Sequence, residues 1–352
     1  MRKILFGSLS ALAVLTACSK SVAPKAVAQP ESGLNAKAPG GSGSIVTYLT
    51  GDAADVQTST SAGLMLMGGS TDVDAAIQWM ISKSGGGDAV VIRSSGADGY
   101  NAYMYGLGTL NSVETIIIDT RTKALDASVA QKIRNAEMLF IAGGDQWNYV
   151  SYWKDTPVED AINYLINTKK VPVGGTSAGL AILGSAYYTA QNGSVTSAQA
   201  LGDPYHRYST IDRDNFINAP LLANTITDSH YTQRDRQGRH ISWLARMMKD
   251  WGMTTVRGIG VDEQTAVCVE ANGLAKVYGT NKAYFLSNNG LGAETCLSRT
   301  SLTWNRNQQA VRAYAITGSA TGNGSVDLNT WNSFSGGTAY FYFVNNGTLA
   351  QN

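Results

Sequence analysis

Histidine is scarce in this sequence, at three residues in 352. Any chemistry that needs an imidazole must therefore choose among His206, His230 and His240. Cysteine is equally rare, and neither Cys268 nor Cys296 has the spacing of a metal site; the chemistry read below needs no metal and no cofactor. Charged residues make up only 15% of the chain, the formal net charge is +1 and no basic block stands out, which argues against a nucleic-acid partner. What is abundant is apolar and small. Hydrophobic residues reach 43%, with 38 glycines and 17 tyrosines, enough for a sizeable core in one large domain or two ordinary ones.

The N-terminus combines Arg2 and Lys3 with an apolar stretch over 4–15, then Leu15-Thr16-Ala17-Cys18. A charged start, a short apolar core and small residues before a cleavage point make a signal peptide, and the stretch is too short for a membrane span. Small residues directly before Cys18 resemble the bacterial lipoprotein box. That resemblance implies a signal peptide over 1–18, lipid on the Cys18 thiol, and an exported protein tied to the cell envelope by its lipid alone. Residues 19–43, rich in Ala, Pro, Lys, Gly and Ser, read as a flexible tether. In an oxidising compartment Cys268 and Cys296 have a disulfide and two free buried thiols open to them.

From residue 45 apolar strands alternate with helical periods. Strands are expected over 45–49, 64–67, 89–92, 115–119, 138–141 and 169–173, and helices over 73–83, 127–135 and 158–168. This alternation predicts an α/β fold with a mostly parallel sheet covered on both faces, its chemistry beyond the carboxyl ends of the strands. Gly68-Gly69, Gly143-Gly144 and Gly174-Gly175 end three of those strands and should share one rim. None forms the G-x-G-x-x-G of a dinucleotide site. Past about residue 265 the texture becomes β-rich, with short strands over 266–270, 275–278, 283–286, 310–316 and 339–344, either extending the sheet or packing beside it. The reading divides the chain into an α/β domain over 44–300 and a β-rich extension over 301–352.

Gly175-Thr176-Ser177-Ala178-Gly179 fits G-x-S-x-G between a strand and a helical turn, the setting that lifts a serine hydroxyl to the edge of a parallel sheet. The serine needs a base. His206 lies in a turn-like stretch and His240 begins the helical stripe of Ile241, Leu244 and Met248. His230 sits among Asp228, Ser229, Arg234, Arg236, Gly238 and Arg239, a polar concentration that packing does not explain. Glu263, after the apolar run over 258–261, falls near a strand end and can orient the histidine. Asp228 is its rival, close to His230 in sequence and suited to fixing the loop. The order serine, histidine, acid differs from the α/β-hydrolase order, for which Asp203 or Asp214 would have to serve.

Taken together, Gly143-Gly144-Asp145-Gln146, the Gly174 to Gly179 segment, Asp228-Ser229-His230-Tyr231 with its arginines, and Gly260-Val261-Asp262-Glu263 resemble the cyanophycinases over roughly residues 60–290. These are serine peptidases related to α-aspartyl dipeptidases. The resemblance implies a three-layer, flavodoxin-like sheet of the class I glutamine amidotransferase kind. It implies Ser177 as nucleophile, His230 as base and Glu263 as acid; the backbone N–H groups of Gly144 and Ala178 are expected to hold the oxyanion. It implies Gln146, Asp228, Ser229, Arg234, Arg236 and Arg239 as substrate-binding residues. The substrate expected is cyanophycin, a polyaspartate carrying isopeptide-linked arginine, cut to β-Asp-Arg dipeptides. Ser229 stands where several cyanophycinases carry glutamine, and the lipoprotein signal and β-rich tail look more like an exported branch. A related Asp-X exopeptidase and a non-catalytic binding lipoprotein are the rival readings. A glutamine amidotransferase is set aside because serine occupies the elbow. A homodimer is compatible with the pattern.

Overall fold

The computed structural model describes residues 44–352. Cys18, the signal peptide over 1–18 and the tether over 19–43 lie outside the described residues. Six strands build the first sheet's N-terminal part: β1 (Val46–Gly51), β2 (Gly63–Met67), β3 (Asp88–Arg93), β4 (Ser112–Ile117), β5 (Met138–Ile141) and β6 (Pro172–Thr176). Their order is β1-β4-β3-β5-β6-β2, and β4, β3, β5, β6 and β2 run parallel, with β1 antiparallel at the edge. The expected mostly parallel α/β sheet is present.

Period-two alternation explains why these strands are apolar throughout. In β2, Leu64 and Leu66 face one core while Met65 and Met67 face another. In β3, Val90 and Ile92 oppose Ala89 and Val91, and in β5, Leu139 and Ile141 oppose Met138 and Phe140. Helices α1 (Asp74–Lys83) and α2 (Asn101–Leu107) lie on the methionine face. The shorter α3 (Arg121–Ala124), then α4 (Ala127–Asn135), α5 (Gln146–Trp153) and α6 (Pro157–Tyr164), lie on the leucine face. The strand expected over 169–173 begins later. Residues Leu165–Lys169 form a π-helical turn, Lys170 turns left-handed with φ 60°, and only Pro172 opens β6. Lys169 is drawn into that turn by Glu137, 2.8 Å from its ammonium.

Beyond β6 come α7 (Ala178–Ala181), β7 (Ala186–Tyr188), α8 (Ser197–Gly202), β8 (Ile211–Arg213), β9 (Thr225–Asp228), α9 (Gln237–Trp251) and β10 (Arg257–Val261). The remaining strands are β11 (Thr265–Glu270), β12 (Leu274–Gly279), β13 (Lys282–Asn288), β14 (Val311–Thr317), β15 (Asn323–Asp327), β16 (Phe334–Ser335), β17 (Thr338–Asn345) and β18 (Thr348–Gln351). The β-rich part both extends the first sheet and packs beside it. Strands β11, β12, β15 and β16 continue the first sheet from β2, while β18-β17-β14-β13-β10-β9-β7-β8 form a second. Ile259, Val261, Ala283, Phe285 and Ile316 of the second sheet share the core of Leu64, Leu66 and Val267. Its other face is covered by Trp243, Leu244 and Met247 of α9.

Cys268 and Cys296 are free thiols, not a bridge. Cys268 on β11 packs in the α1 core with Met65 and Ala266, whereas Cys296 packs in the α9 core with Trp304 and Leu244. Layers of side chains separate them, and burial raises both thiols above the ordinary range.

Candidate active site

The elbow at Ser177 is strained, with φ 53° and ψ −113°. Such a backbone costs on the order of 1–3 kcal/mol and persists only where its neighbours enforce it. Two glycines do so by permitting close approach. A Cβ on Gly175 would lie 2.5 Å from the Gly179 carbonyl carbon, and one on Gly179 would lie 2.1 Å from the Ile141 carbonyl oxygen. The Ser177 N–H donates to the Met67 carbonyl at 3.0 Å, tying the elbow to β2.

His230 follows the end of β9 with φ 44°, and its N–H donates to the Gly68 carbonyl at 2.8 Å. Gly69 lies flat against the imidazole: a Cβ there would be 2.4 Å from Cε1. Glu263 lies past the end of β10. Its N–H donates to Gln233 Oε1 at 2.9 Å, and its carbonyl accepts from Asn281 Nδ2 at 2.8 Å. The three side chains meet in line, with Ser177 Oγ 2.7 Å from His230 Nε2 and His230 Nδ1 2.7 Å from Glu263 Oε1. The histidine is 5% exposed. Burial lowers its pKa below the ordinary value; Glu263 pulls it up, and Arg234 and Arg236 push it down again. A neutral imidazole with Nδ1–H toward glutamate and a bare Nε2 toward the hydroxyl is the base this geometry offers.

The rim is shared in part: Gly69 lies against His230 and Gly143 against Ser177, whereas Gly174 and Gly175 lie inside β6, Gly174 against Met65 and Met80. Gly143 is the glycine against Ser177, since a Cβ on it would be 3.4 Å from Ser177 Cβ. One on Gly144 would instead meet the Tyr149 hydroxyl at 2.7 Å. Ala178 opens α7 beside Ser177. Gln146 opens α5, capped by Asp145, and its amide nitrogen donates to the Tyr188 carbonyl.

The polar loop divides, which corrects the expectation that its residues all contact substrate. Asp228 is fully buried. Arg239, 3% exposed, grips it with two bonds, Nε–Oδ2 at 2.8 Å and Nη2–Oδ1 at 2.6 Å. Its guanidinium also lies over the rings of Tyr188 and Trp243. Arg236 reaches Asp228 Oδ1 at 3.3 Å and the Ser229 carbonyl at 2.8 Å. Burial would raise the Asp228 carboxyl, but Arg239 and Arg236 outweigh it and hold the pKa low. Asp228, Ser229 and Arg239 thus belong to the interior, because a buried carboxylate needs cations more than a solvated substrate does. Arg234 alone points outward, its Nε 3.9 Å from Glu263 Oε1. His240 is buried against Gly258, and its Nε2 lies 3.1 Å from the Ile226 carbonyl. His206 sits in its turn, accepting from the Tyr208 N–H.

Sequence reasoning missed two groups. Thr232 and Asp262 brace the turn after His230, with Asp262 Oδ1 accepting from the Thr232 N–H and hydroxyl at 2.8 Å. Asp72, after β2, lies beside Thr176 at the carboxyl end of β6. The only sequence signal for them was their place just after strand ends.

The chain matches the family model of Peptidase family S51 over residues 92–277. It is 30% identical over 167 residues to the cyanophycinase of Trichormus variabilis, covering 47% of this chain and 50% of the relative. It is 26% identical over 235 residues to the cyanophycinase of Synechococcus elongatus, covering 63% and 67%. The chain thus spans about half the length of the first of these relatives. Among solved structures it is similar to a peptidase from an acI-B1 Actinobacterium, at TM-score 0.47 and 14% identity, covering 69% of this chain and 98% of that one.

Proposed function

The chain belongs to peptidase family S51, a family of serine-type peptidases, and from that premise we propose that it is an exported exopeptidase that cuts cyanophycin to β-Asp-Arg dipeptides. The observation that carries the reading is the hydrogen-bonded line from Ser177 Oγ through His230 to Glu263, at 2.7 Å for each link. Ser177 attacks the aspartyl carbonyl carbon, and its proton passes to His230 Nε2. Glu263 stabilises the imidazolium so formed and keeps Nδ1 protonated throughout. The negative oxygen of the tetrahedral intermediate is held by N–H groups of Ala178 and of the Gly143-Gly144 turn. Collapse breaks the C–N bond, and His230 delivers its proton to the leaving amine. Water then attacks the acyl carbon, giving one proton to His230; the C–Oγ bond breaks, His230 returns that proton to Ser177 Oγ, and the released acid ionises to a carboxylate.

Arg234, exposed beside the relay, is the cation of the loop available to a substrate carboxylate. The relatives named cyanophycinases support this substrate class for the present chain. Lipid attachment at Cys18 would hold the enzyme at the envelope. The test is incubation of purified protein with insoluble cyanophycin and mass analysis of the soluble fraction. β-Asp-Arg as the main product supports the reading, and an untouched polymer alongside cleaved Asp-X dipeptides replaces it with the related exopeptidase.

A further inference from the structure

The second sheet carries a cavity that the triad does not use, at the end of β10 away from Glu263. Its strands are aligned there in one row: Arg257 pairs with Ser287, Ser287 with Arg312, and Arg312 with Phe341. Directly opposed residues of antiparallel strands project from the same face. Phe285 and Tyr314, two positions along, share that face, which is the one turned toward the core of the first sheet. The turn after β15 brings Trp331 against it, and β16 brings Phe334. Trp331 meets Phe285 edge-on with ring centroids 6.2 Å apart, and Phe334 lies 5.0 Å from Tyr314.

Between the sheet and that turn opens a cavity of about 570 Å³, within the size range of small-ligand sites. Ser287, Arg312, Tyr314, Trp331, Phe334 and Phe341 line it, and no aspartate or glutamate does. Arg312 is exposed, and Ser287, Tyr314, Phe334 and Phe341 are half-buried, so the cavity is open to solvent. Arg257 stands behind it, its guanidinium over the Trp331 ring. The arginine–carboxylate pairs among the described residues are made by Arg213, Arg234, Arg236, Arg239, Arg246 and Arg306, and none by Arg257 or Arg312. Burial lowers the Arg257 pKa with no carboxylate acting against it. Two guanidiniums without counter-ions, rooted about 10 Å apart at the usual strand spacing, make the local field positive.

We propose that this cavity is a second binding site for the polymer, remote from Ser177, in which Arg312 takes a carboxylate and the rings of Tyr314, Phe334 and Phe341 carry the arginine side chain beside it. A guanidinium fork suits a carboxylate, and aromatic faces attract a planar cation. The proposal rests on the cyanophycin reading, in which each residue offers one carboxylate and one guanidinium. From Arg257 to Val261 is four strand steps, so the row lies more than about 13 Å from where β10 hands the chain to Glu263. An extended peptide covers at most about 3.6 Å per residue, so an oligomer of three Asp-Arg units cannot fill both sites, whereas the polymer can. The second site therefore serves retention on the polymer and leaves the chemistry to the triad.

The experiment has two arms. Co-sedimentation measures retention on insoluble cyanophycin in the Ser177→Ala background, with Arg312 intact and with Arg312→Glu. Turnover is measured on the polymer and on the three-unit oligomer, in the wild type and in Arg312→Glu. Arg312→Glu should weaken retention at least about fivefold and lower polymer turnover by a similar factor, with kcat/KM on the oligomer held within about twofold. Circular dichroism and the melting midpoint check folding. Should Arg312→Glu fold poorly, Arg312→Gln, neutral and of similar length, must still lower retention. Undiminished retention in a folded Arg312→Glu overturns the second site. So does an equal loss on oligomer and polymer, since the variant would then act through the triad or the fold. So does a dimer that Arg312→Glu splits while retention is unchanged, which would make the cavity an interface between copies. If the wild type cuts neither substrate, the cyanophycin reading fails separately; retention that Arg312→Glu abolishes still supports the site, and no retention with Arg312 intact overturns it.

Discussion

Ser177, His230 and Glu263 are joined by two 2.7 Å hydrogen bonds that single substitutions can break. Ser177→Ala is expected to reduce turnover at least about 10³-fold with the melting midpoint nearly unchanged, since alanine meets the same strained φ that serine does. Glu263→Gln keeps the shape and loses the charge, so a loss of about 10²–10⁴-fold is expected, with kcat measured beside circular dichroism. The pH profile tests the electrostatics. Burial first, then Arg234 and Arg236, lower the His230 pKa against the pull of Glu263, so the base stays neutral to more acid pH than an ordinary histidine. The acid limb of kcat/KM should accordingly lie below about 6.5. Arg234→Gln removes a cation and should move that limb to higher pH; because Arg234 is exposed, added salt should move it the same way. A limb that moves to lower pH in Arg234→Gln would contradict the assignment of His230 as base. The serine was legible because a strand, a cramped glycine turn and a helix leave a local pattern. Histidine and glutamate were legible only as polar residues at strand ends.

At the scale of elements, β9 and α9 are joined by a charge pair rather than by apolar contact alone. Asp228 ends the strand and Arg239 stands in the helix, both buried and doubly bonded. Asp228→Asn leaves the Arg239 guanidinium without its carboxylate, and Arg239→Ala leaves Asp228 only the longer contact to Arg236; each should cost about 3–5 kcal/mol, read as a lowered denaturant midpoint. Arg239→Ala should then reduce hydrolysis of polymer and of a simple ester alike, in contrast to Arg234→Ala, which should weaken the polymer more. Acid should loosen the same junction. Burial drives His240 on α9 down to about 4, below the value it has when unfolded. The unfolded chain therefore binds the extra proton, and stability should fall as pH drops from about 6.5 toward 4, by about 3 kcal/mol from this group. His240→Gln should flatten urea midpoints across that window. Helix α9 was partly visible as an apolar stripe, whereas the inward turn of Arg239 was not, because an arginine in a polar segment looks the same whether it meets solvent or a buried carboxylate.

Across the whole molecule, the last fifty residues are structural partners of the site. Strand β14 pairs along the full length of β13, which pairs with β10, which lies beside β9 and carries the chain to Glu263. Ending the chain at residue 300 would uncover Phe285 and Leu286 and leave β13 an exposed apolar edge. Such a truncation is expected to be insoluble, measured as soluble yield and by sedimentation. Cys18→Ser, at the other end, should release the protein from the membrane fraction with catalysis retained, and lipid labelling that persists in the variant would exclude Cys18 as the attachment point.

Alternating apolar strands and helices determined the parallel sheet without further help, because period two on a doubly covered strand writes a continuous hydrophobic run such as Leu64-Met65-Leu66-Met67. The elbow was determined locally in the same way, by glycines that nothing larger could replace at Gly175 and Gly179. Tertiary structure decided everything that depends on which strand lies beside which. The three-residue strands β7 and β8 and the four-residue β9 are too short to carry a period, and the second sheet they join brings His230 and Glu263 to Ser177. Pairing in space likewise separated Cys268 from Cys296 and gave Arg239 its buried partner Asp228, since the cost of a buried charge depends on the neighbours that folding supplies.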